Sequence, residues 1–224
     1  MKRQVDMADI SDGKLYESSD MVKAGCSGCG GCCKGMGQSI VLDPLDIQRM
    51  TLGTGLSFEM LLQDKIELGV VDGLILPNLK MSGSDERCGF LNSENRCEIH
   101  GFRPGICRLF PLGRFYENGG FKYFLQIHEC KKSPQIKVKI KKWLEEPELM
   151  KQEAFVKRWH YFLIYVQQIL DEVSDDALRK KVSMLILQSF YLEPFSKDAD
   201  FYELFEQRLT SVEKVIDQLK GALA

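Results

Sequence analysis

The sequence predicts a mostly helical α+β protein, in which a small cysteine-rich, metal-organised module with short strands and a hairpin precedes a set of C-terminal helices. Three observations lead to this class. All eight cysteines lie between Cys26 and Cys130. Asn118-Gly119 separates two aromatic-rich runs, a pattern typical of a β-hairpin. Beyond Pro134 the apolar residues recur at helical spacing.

Composition restricts the class of protein. The 224 residues are 44% hydrophobic, which is typical of a globular domain and too high for a disordered chain. The 30 Lys and Arg nearly balance the 32 Asp and Glu, so the charge argues against a nucleic-acid-binding protein. No stretch approaches the ~18 apolar residues of a membrane span, and the first 20 residues lack a secretory signal. We therefore expect a cytoplasmic protein with reduced thiols and no membrane contact.

The chain is predicted to comprise three regions: a polar N-terminal arm (1–24), a cysteine-cluster metal-binding module (25–133) and a C-terminal helical region (134–224). Whether the helices cover the module or form a separate layer is left open by the sequence. The predicted elements of the module are a strand at 39–42, helices at 43–53 and 57–69, one or two strands at 70–81, a loop-rich block at 82–112, and hairpin strands at 113–117 and 121–127.

The segment 134–144 is ambiguous. Ile136, Val138 and Ile140 alternate with polar residues as in a strand, whereas Ile136, Ile140 and Trp143 share a helix face. We favour a helix, because helices follow. Three amphipathic helices are predicted from apolar residues at helical spacing, at 155–170, 178–190 and 201–219.

The first cysteine group is Cys26-x2-Cys29-x2-Cys32-Cys33, within a stretch that holds six of the 19 glycines. Glycine weakens helices and strands alike, so this stretch is predicted to be a tight loop. The Cα atoms of adjacent residues lie only ~3.8 Å apart, which disfavours a disulfide between them. Clustered thiols in a reducing compartment indicate metal chemistry.

The second cysteine group is dispersed along residues 88–130. Four plus four thiolates suit two four-thiolate centres, or one polynuclear cluster with spare ligands. Side chains of adjacent residues diverge in an extended segment, so Cys32 and Cys33 are predicted to serve different metal atoms. The predicted metal ligands are Cys26, Cys29, Cys32, Cys33, Cys88, Cys97, Cys107 and Cys130.

Metal-bound thiolates need positive neighbours. Arg103 and Arg108 are the predicted cofactor-binding residues, because each lies close in sequence to a cysteine and can compensate the thiolate charge. His100 follows Cys97 at a spacing that a zinc site could use. Eight cysteines already supply two sites, so we do not expect His100 to be a ligand.

The repeated Cys-x2-Cys spacing matches the first part of the bacterial ferredoxin pattern, although Cys33 follows Cys32 at once instead of after three residues. We favour an iron–sulfur cluster of the [4Fe–4S] type, with Zn²⁺ as the alternative. The glycines suit either metal, since they let backbone N–H groups approach sulfur.

Several motifs together resemble the YkgJ-type cysteine-cluster family. They are Cys26-x2-Cys29-x2-Cys32-Cys33, Cys88-Gly-Phe-Leu, Cys97-Glu-Ile-His-Gly-Phe-Arg103-Pro104 and Cys107-Arg-Leu-Phe-Pro111. The resemblance covers about residues 26–133. It implies a zinc- or iron-chelating domain, and it implies metal binding more firmly than any reaction. Related clusters occur in flagellin lysine methylases.

The expected function is metal binding in redox, sensing or protein-modification work. The sequence predicts no catalytic residue: it lacks a P-loop, and Met36 breaks the radical S-adenosylmethionine spacing. A zinc-stabilised adaptor whose C-terminal helices contact a protein partner, and a methylase-like enzyme, are the alternatives. The stretch Lys131–Lys142 has six lysines and no acid. We interpret it as a solvated helix face, with contact to RNA or an acidic partner as the other possibility.

Overall fold

The computed structural model describes residues 13–126, 129–130, 135–173 and 175–221. Helices hold 48% and strands 21% of the structure, which confirms the mostly helical α+β class. The helices are α1 (Pro44–Thr54), α2 (Phe58–Asp64), α3 (Gly105–Leu109), α4 (Ile140–Trp143), α5 (Leu149–Val173), α6 (Asp176–Leu187) and α7 (Phe201–Gly221). The strands are β1 (Met21–Ala24), β2 (Ile66–Val71), β3 (Leu74–Leu79), β4 (Met81–Ser82), β5 (Arg87–Cys88), β6 (Leu112–Glu117), β7 (Gly120–Leu125) and β8 (Ile136–Lys139). No described helix combines the length and apolar character needed to cross a membrane.

Helix α1 begins where the sequence predicts, because Asp43 caps it. The Asp43 side chain accepts from the Asp46 N–H, the Asp46 side chain accepts from the Asp43 N–H, and Pro44 occupies the first turn. The strand predicted at 39–42 is reduced to a single bridge between Val41 and Asn78.

Helix α2 is shorter than predicted. The predicted helix continues to about Gly69, whereas α2 ends at Asp64 and β2 begins at Ile66. Asp72 and Gly73 have φ of 48° and 82°, as a tight hairpin turn requires, and they join β2 to β3. The six-residue ladder of this hairpin therefore prevails over the helical pattern.

The hairpin predicted around Asn118-Gly119 is confirmed. These two residues have φ of 49° and 74°, and β6 pairs with β7 from Leu112 opposite Leu125 to Glu117 opposite Gly120. The second strand ends at Leu125, and residue 127 of the predicted strand lies outside the described residues.

The helix predicted for 134–144 is wrong over most of its length. Residues 136–139 form β8, which pairs antiparallel with β1, and only the short helix α4 follows. β1 supplies the backbone partners that make the strand preferable, and it lies over 110 residues earlier in the chain. Residues 131–134, including two of the six lysines, lie outside the described residues.

The three predicted C-terminal helices are confirmed as α5, α6 and α7. Their aromatic side chains pack edge to face, with ring centroids of Trp159 and Phe190 5.0 Å apart. The same core includes buried residues of α1, α2, β2 and β3. The Tyr191 hydroxyl donates to the carbonyl oxygen of Leu42 at 3.0 Å. The helices thus cover the module, and the boundary at 133–134 remains a prediction that falls on undescribed residues.

A second, smaller core lies beside α3. Its buried members come from β1, α3, β6, β7, α4 and the residues just after α4: Val22, Ala24, Leu109, Leu112, Tyr123, Ile140 and Leu144. The Trp143 indole N–H donates to the Leu109 carbonyl at 3.3 Å. This core holds α3, which carries one cysteine, against the β1–β8 ribbon that leads into the first cysteine group.

Candidate metal centre

The first cysteine group lies on an open loop. Cys26, Cys29 and Cys32 are exposed, Cys33 is half-buried, and all eight cysteines of the chain are free thiols. Gly28 and Gly30 have φ of 66° and 70°, in the left-handed region that favours glycine. The glycines therefore permit the tight loop that the sequence predicts.

Cys32 and Cys33 do not lie in an extended segment. Gly31–Cys33 forms a 3-10 turn, in which the Cys33 N–H donates to the Gly30 carbonyl at 3.1 Å. The two thiols are close enough for the Cys33 thiol to lower the pKa of Cys32. The premise that these side chains diverge in an extended chain is wrong, and their ligation of different metal atoms stays a prediction.

Arg96 clamps the first cysteine loop by hydrogen bonds to the loop backbone. Its Nη1 donates to the carbonyl oxygens of Ser27 and Gly28 at 3.0 and 2.9 Å. A Cβ on Gly28 would lie 1.9 Å from this Nη1, so any other residue there would displace the guanidinium from its present position. Arg96 belongs to the second loop-rich block, and the clamp therefore joins the two cysteine groups.

Three cysteines share one backbone arrangement, in which the sulfur accepts a hydrogen bond from the N–H two residues later. Gly28 donates to Cys26 Sγ at 3.4 Å. Burial raises the pKa of Cys88, and a hydrogen bond from the Phe90 N–H opposes part of that rise. Burial likewise raises the pKa of Cys97, and a hydrogen bond from the Ile99 N–H opposes part of the rise. A donor aimed at sulfur favours the thiolate, which is the form that binds metal.

Short backbone pairings bring Cys88 and Cys97 to the first group. Lys34 bridges to Arg87, and the Gly35 N–H donates to the Glu86 carbonyl at 3.1 Å, so the chain just after the first group runs beside β5. Leu91 bridges to Cys97 itself.

The helix that carries Cys107, α3, is anchored at its first residue by the buried carboxyl group of Asp46. The Gly105 N–H, at the start of α3, donates to Asp46 Oδ1 at 2.7 Å. Burial raises the pKa of Cys107 well above its usual value, and the Asp46 charge adds to the rise. Burial likewise raises the pKa of Asp46, to about 8, with the Asp43 charge as the next cause. The sequence does not mark the contact of Asp46 with Gly105 or that of Arg96 with the first loop, although Asp46 stands at the third position of a capped helix and Arg96 precedes Cys97.

The charge of Cys32 acts on the pKa values of all four cysteines of the second group. Burial raises the pKa of Cys130 to about 11, and the Cys32 charge is the next cause. The Cys32 charge also contributes to the raised pKa values of three other members of the second group. Those three are Cys88, Cys97 and Cys107. The pKa of Cys32 itself is lowered to about 7, chiefly by the hydrogen bond from Cys33, with a smaller contribution from Arg103. The second group is thus gathered around the end of the first loop.

The two predicted cofactor-binding arginines differ in their surroundings. The Arg103 charge is a lesser cause of the lowered Cys32 pKa and opposes the rise that burial gives the Cys97 pKa, so this guanidinium lies near the thiols. It also lies 3.7 Å from Glu145. Arg108 donates to the Gly101 carbonyl at 3.0 Å. The neighbouring carboxylates pair with other arginines: Glu145 pairs with Arg103, and Glu146 lies 2.8 Å from Arg49.

His100 is engaged by Arg103. The Arg103 Nη1 lies 2.9 Å from His100 Nδ1 and donates to the His100 carbonyl at 2.7 Å. Burial, and next the Arg103 charge, lower the pKa of His100. The structure thus gives one ring nitrogen a partner other than metal.

Comparison with known proteins bears on these thiols. The family model CxxCxxCC, described as "Putative zinc- or iron-chelating domain", matches residues 25–146, more than half of the chain. The chain belongs to this family. It is the family that the cysteine motifs resemble under the name YkgJ. No curated protein and no solved structure matches the chain.

The CxxCxxCC thiols fit a chelated metal by their chemistry. Soft sulfur donors select zinc and iron–sulfur centres. In the described part of the chain, no three Cys, His, Asp or Glu side chains are arranged so that they could hold one metal ion. The cysteines therefore lie near one another without forming a complete coordination shell. We expect metal binding to draw them together and to contribute folding free energy.

Proposed function

We propose that this protein binds an iron–sulfur cluster of the [4Fe–4S] type through its cysteine groups, and that it works in electron transfer or oxidant sensing. The observation that carries the proposal is the exposure of Cys26, Cys29 and Cys32 on the glycine-rich loop. Structural zinc sites are closed tetrahedral centres. A loop with three solvent-facing thiols is better suited to a centre that exchanges electrons with a partner or meets an oxidant.

The surroundings of the sulfurs support the same proposal. Backbone N–H groups donate towards Cys26, Cys88 and Cys97, and the Arg103 charge acts on two of the thiols. Hydrogen bonds to sulfur, net charge and solvent exposure are the features by which proteins set the potential of such clusters. When bound, the cluster would supply one-electron chemistry, and the residues described above would hold and tune it.

The test is anaerobic purification followed by measurement of iron, zinc, acid-labile sulfide and the visible spectrum. We expect a brown protein with iron and sulfide in equal amounts, bleached by air. A colourless anaerobic protein with stoichiometric zinc and no sulfide would contradict the iron–sulfur proposal and favour the zinc-stabilised adaptor.

Two variants in the same loop make the result specific. Cys29→Ser removes a predicted ligand and should lose most of the iron. Ser27→Ala keeps the backbone carbonyl that Arg96 binds and should retain it. Equal iron in both variants would show that Cys29 is not a ligand.

A further inference from the structure

The β1–β8 ribbon presents a basic outer face. Met21 lies opposite Lys139 and Lys23 lies opposite Lys137, and all four side chains are exposed. Side chains that are directly opposite in an antiparallel pair lie on the same face of the ribbon. The other face carries Val22, which is buried in the smaller core. One face of the ribbon therefore packs against the smaller core, and the other is exposed to solvent.

The lysines of this face lack carboxylate partners among the described residues. Ion pairs there engage lysines elsewhere, such as Lys34 with Asp85, but none involves Lys23, Lys137 or Lys139. Lys23 directly opposite Lys137 is an unfavourable like-charge pair. Two further exposed lysines, Lys141 and Lys142, follow in α4. The ribbon thus keeps a concentration of positive charge that no carboxylate among the described residues neutralises.

The shape of the ribbon favours a polypeptide as the neutralising partner. Each strand pairs on one side only, so each keeps an edge that can accept another strand. One exposed apolar residue accompanies the charge on this face: Met21 is 53% exposed, whereas Ile136 lies opposite Ala24 and belongs to the other face. The described ribbon carries neither arginine nor an aromatic residue, the usual means of contact with bases. Four residues span only ~13 Å, which suits a short strand of peptide.

We propose that the outer face of the β1–β8 ribbon binds an acidic, extended segment of a partner protein. Acidic side chains of the segment pair with Lys23, Lys137 and Lys139, and an apolar side chain of the segment lies against Met21. β1 ends two residues before Cys26, so the partner would be bound next to the exposed cysteine loop. This docking role does not depend on which metal the thiols bind.

The test measures binding of a fluorescein-labelled peptide of alternating Glu and Val to the purified, metal-loaded protein, by fluorescence anisotropy at low salt. The variant Lys23→Glu/Lys137→Glu/Lys139→Glu should weaken binding about tenfold or more, since three ion pairs become repulsive. The matched control is Lys180→Glu/Lys181→Glu/Lys214→Glu, which changes the net charge equally at exposed lysines of α6 and α7. The control should bind within about twofold of wild type, because long-range charge is screened.

Several outcomes would overturn the proposal. They are an absence of peptide binding by wild type, equal losses in both triple variants, and tighter binding of single-stranded DNA than of the peptide through the same three lysines. The milder variant Lys23→Gln/Lys137→Gln/Lys139→Gln guards against misfolding. It should retain its metal and circular dichroism while it loses affinity; unchanged affinity would also overturn the proposal.

Discussion

Arg96 and Gly28 are 68 residues apart in the chain, yet the Arg96 Nη1 donates to the Gly28 carbonyl oxygen at 2.9 Å. The same nitrogen donates to the Ser27 carbonyl. The open first loop is thereby tied to the block that carries Cys88 and Cys97. Contacts of this kind, which touch the ligand-bearing backbone instead of the metal, decide how long a metal stays bound.

Arg96→Ala should accelerate metal loss. Removal of the two charge-assisted bonds frees the loop, and outer-shell changes of this kind typically cost about tenfold or more in metal affinity. The measurement is the rate of metal transfer to a coloured chelator. Arg179→Ala is the matched control, because Arg179 also donates to a backbone carbonyl, that of Leu170, at the distant helix α6. Equal release rates from both variants would contradict the clamp.

Gly28→Ala should damage the centre more than Gly35→Ala does. The two glycines have nearly the same φ, 66° and 65°, so both substitutions carry the same backbone strain of about 1 kcal/mol. Only at Gly28 would the new Cβ meet the Arg96 guanidinium, whereas nothing lies within 4 Å at Gly35. The measurement is metal per chain together with the chelator rate. Comparable losses would show that strain alone, and not the clamp, explains the need for glycine.

Asp46→Asn should change how stability depends on pH. Burial raises the Asp46 pKa from 3.8 to about 8 in the folded chain. Between these values the unfolded chain releases a proton that the folded chain keeps, so the wild-type free energy of unfolding falls as pH rises. The asparagine variant lacks this contribution, while thiol titrations are common to both proteins.

The measurement is denaturant unfolding of both proteins from about pH 5 to about pH 8. The difference, wild type minus Asp46→Asn, should decrease across that range. Asp198→Asn, at an exposed site, should follow the wild-type curve. Parallel curves for wild type and Asp46→Asn would show that Asp46 is ionised in the folded chain throughout.

Local signals in the sequence predict much of the fold. Asp43-Pro44 begins α1 and Asn118-Gly119 forms a hairpin, because capping and turn chemistry act within a few residues. The hairpin at Asp72-Gly73 carries an equally good signal, which the helical pattern before it obscured. The strand β8 could not be predicted locally, since its partner β1 is remote in sequence.

The candidate site is predictable in its donors and not in its supports. Cysteine spacing alone indicates these thiols as metal ligands, and that assignment stays a prediction. The clamp by Arg96 and the hold of Asp46 on Gly105 connect residues 59 or more positions apart. No periodicity or spacing marks such contacts, which only the folded chain creates.

Zinc binding to the metal-free, reduced protein should release about three or more protons per Zn²⁺ near neutral pH, if four thiolates bind each ion. Burial raises the pKa of Cys88, Cys97 and Cys107, so these thiols are protonated before metal binds. Cys32, with its pKa of about 7, contributes less than one proton. Calorimetry in two buffers of different ionisation enthalpy measures the number. Release of one proton or fewer would contradict thiolate coordination.

Arg103→Gln and Arg108→Gln should have different effects on thiol reactivity, although the sequence assigns both arginines the same role. The Arg103 charge contributes to the lowered pKa of Cys32, whereas Arg108 donates to the Gly101 carbonyl. Loss of Arg103 should therefore raise the Cys32 pKa and slow its alkylation at pH 7, since the thiolate is the reactive form. Mass spectrometry of metal-free protein pulsed with iodoacetamide gives the rate at each cysteine. We expect Cys32 to be labelled up to about twofold more slowly in Arg103→Gln, because Arg103 is a lesser cause of the lowered pKa, and at the wild-type rate in Arg108→Gln; the reverse order would make Arg108 the residue that faces the thiols.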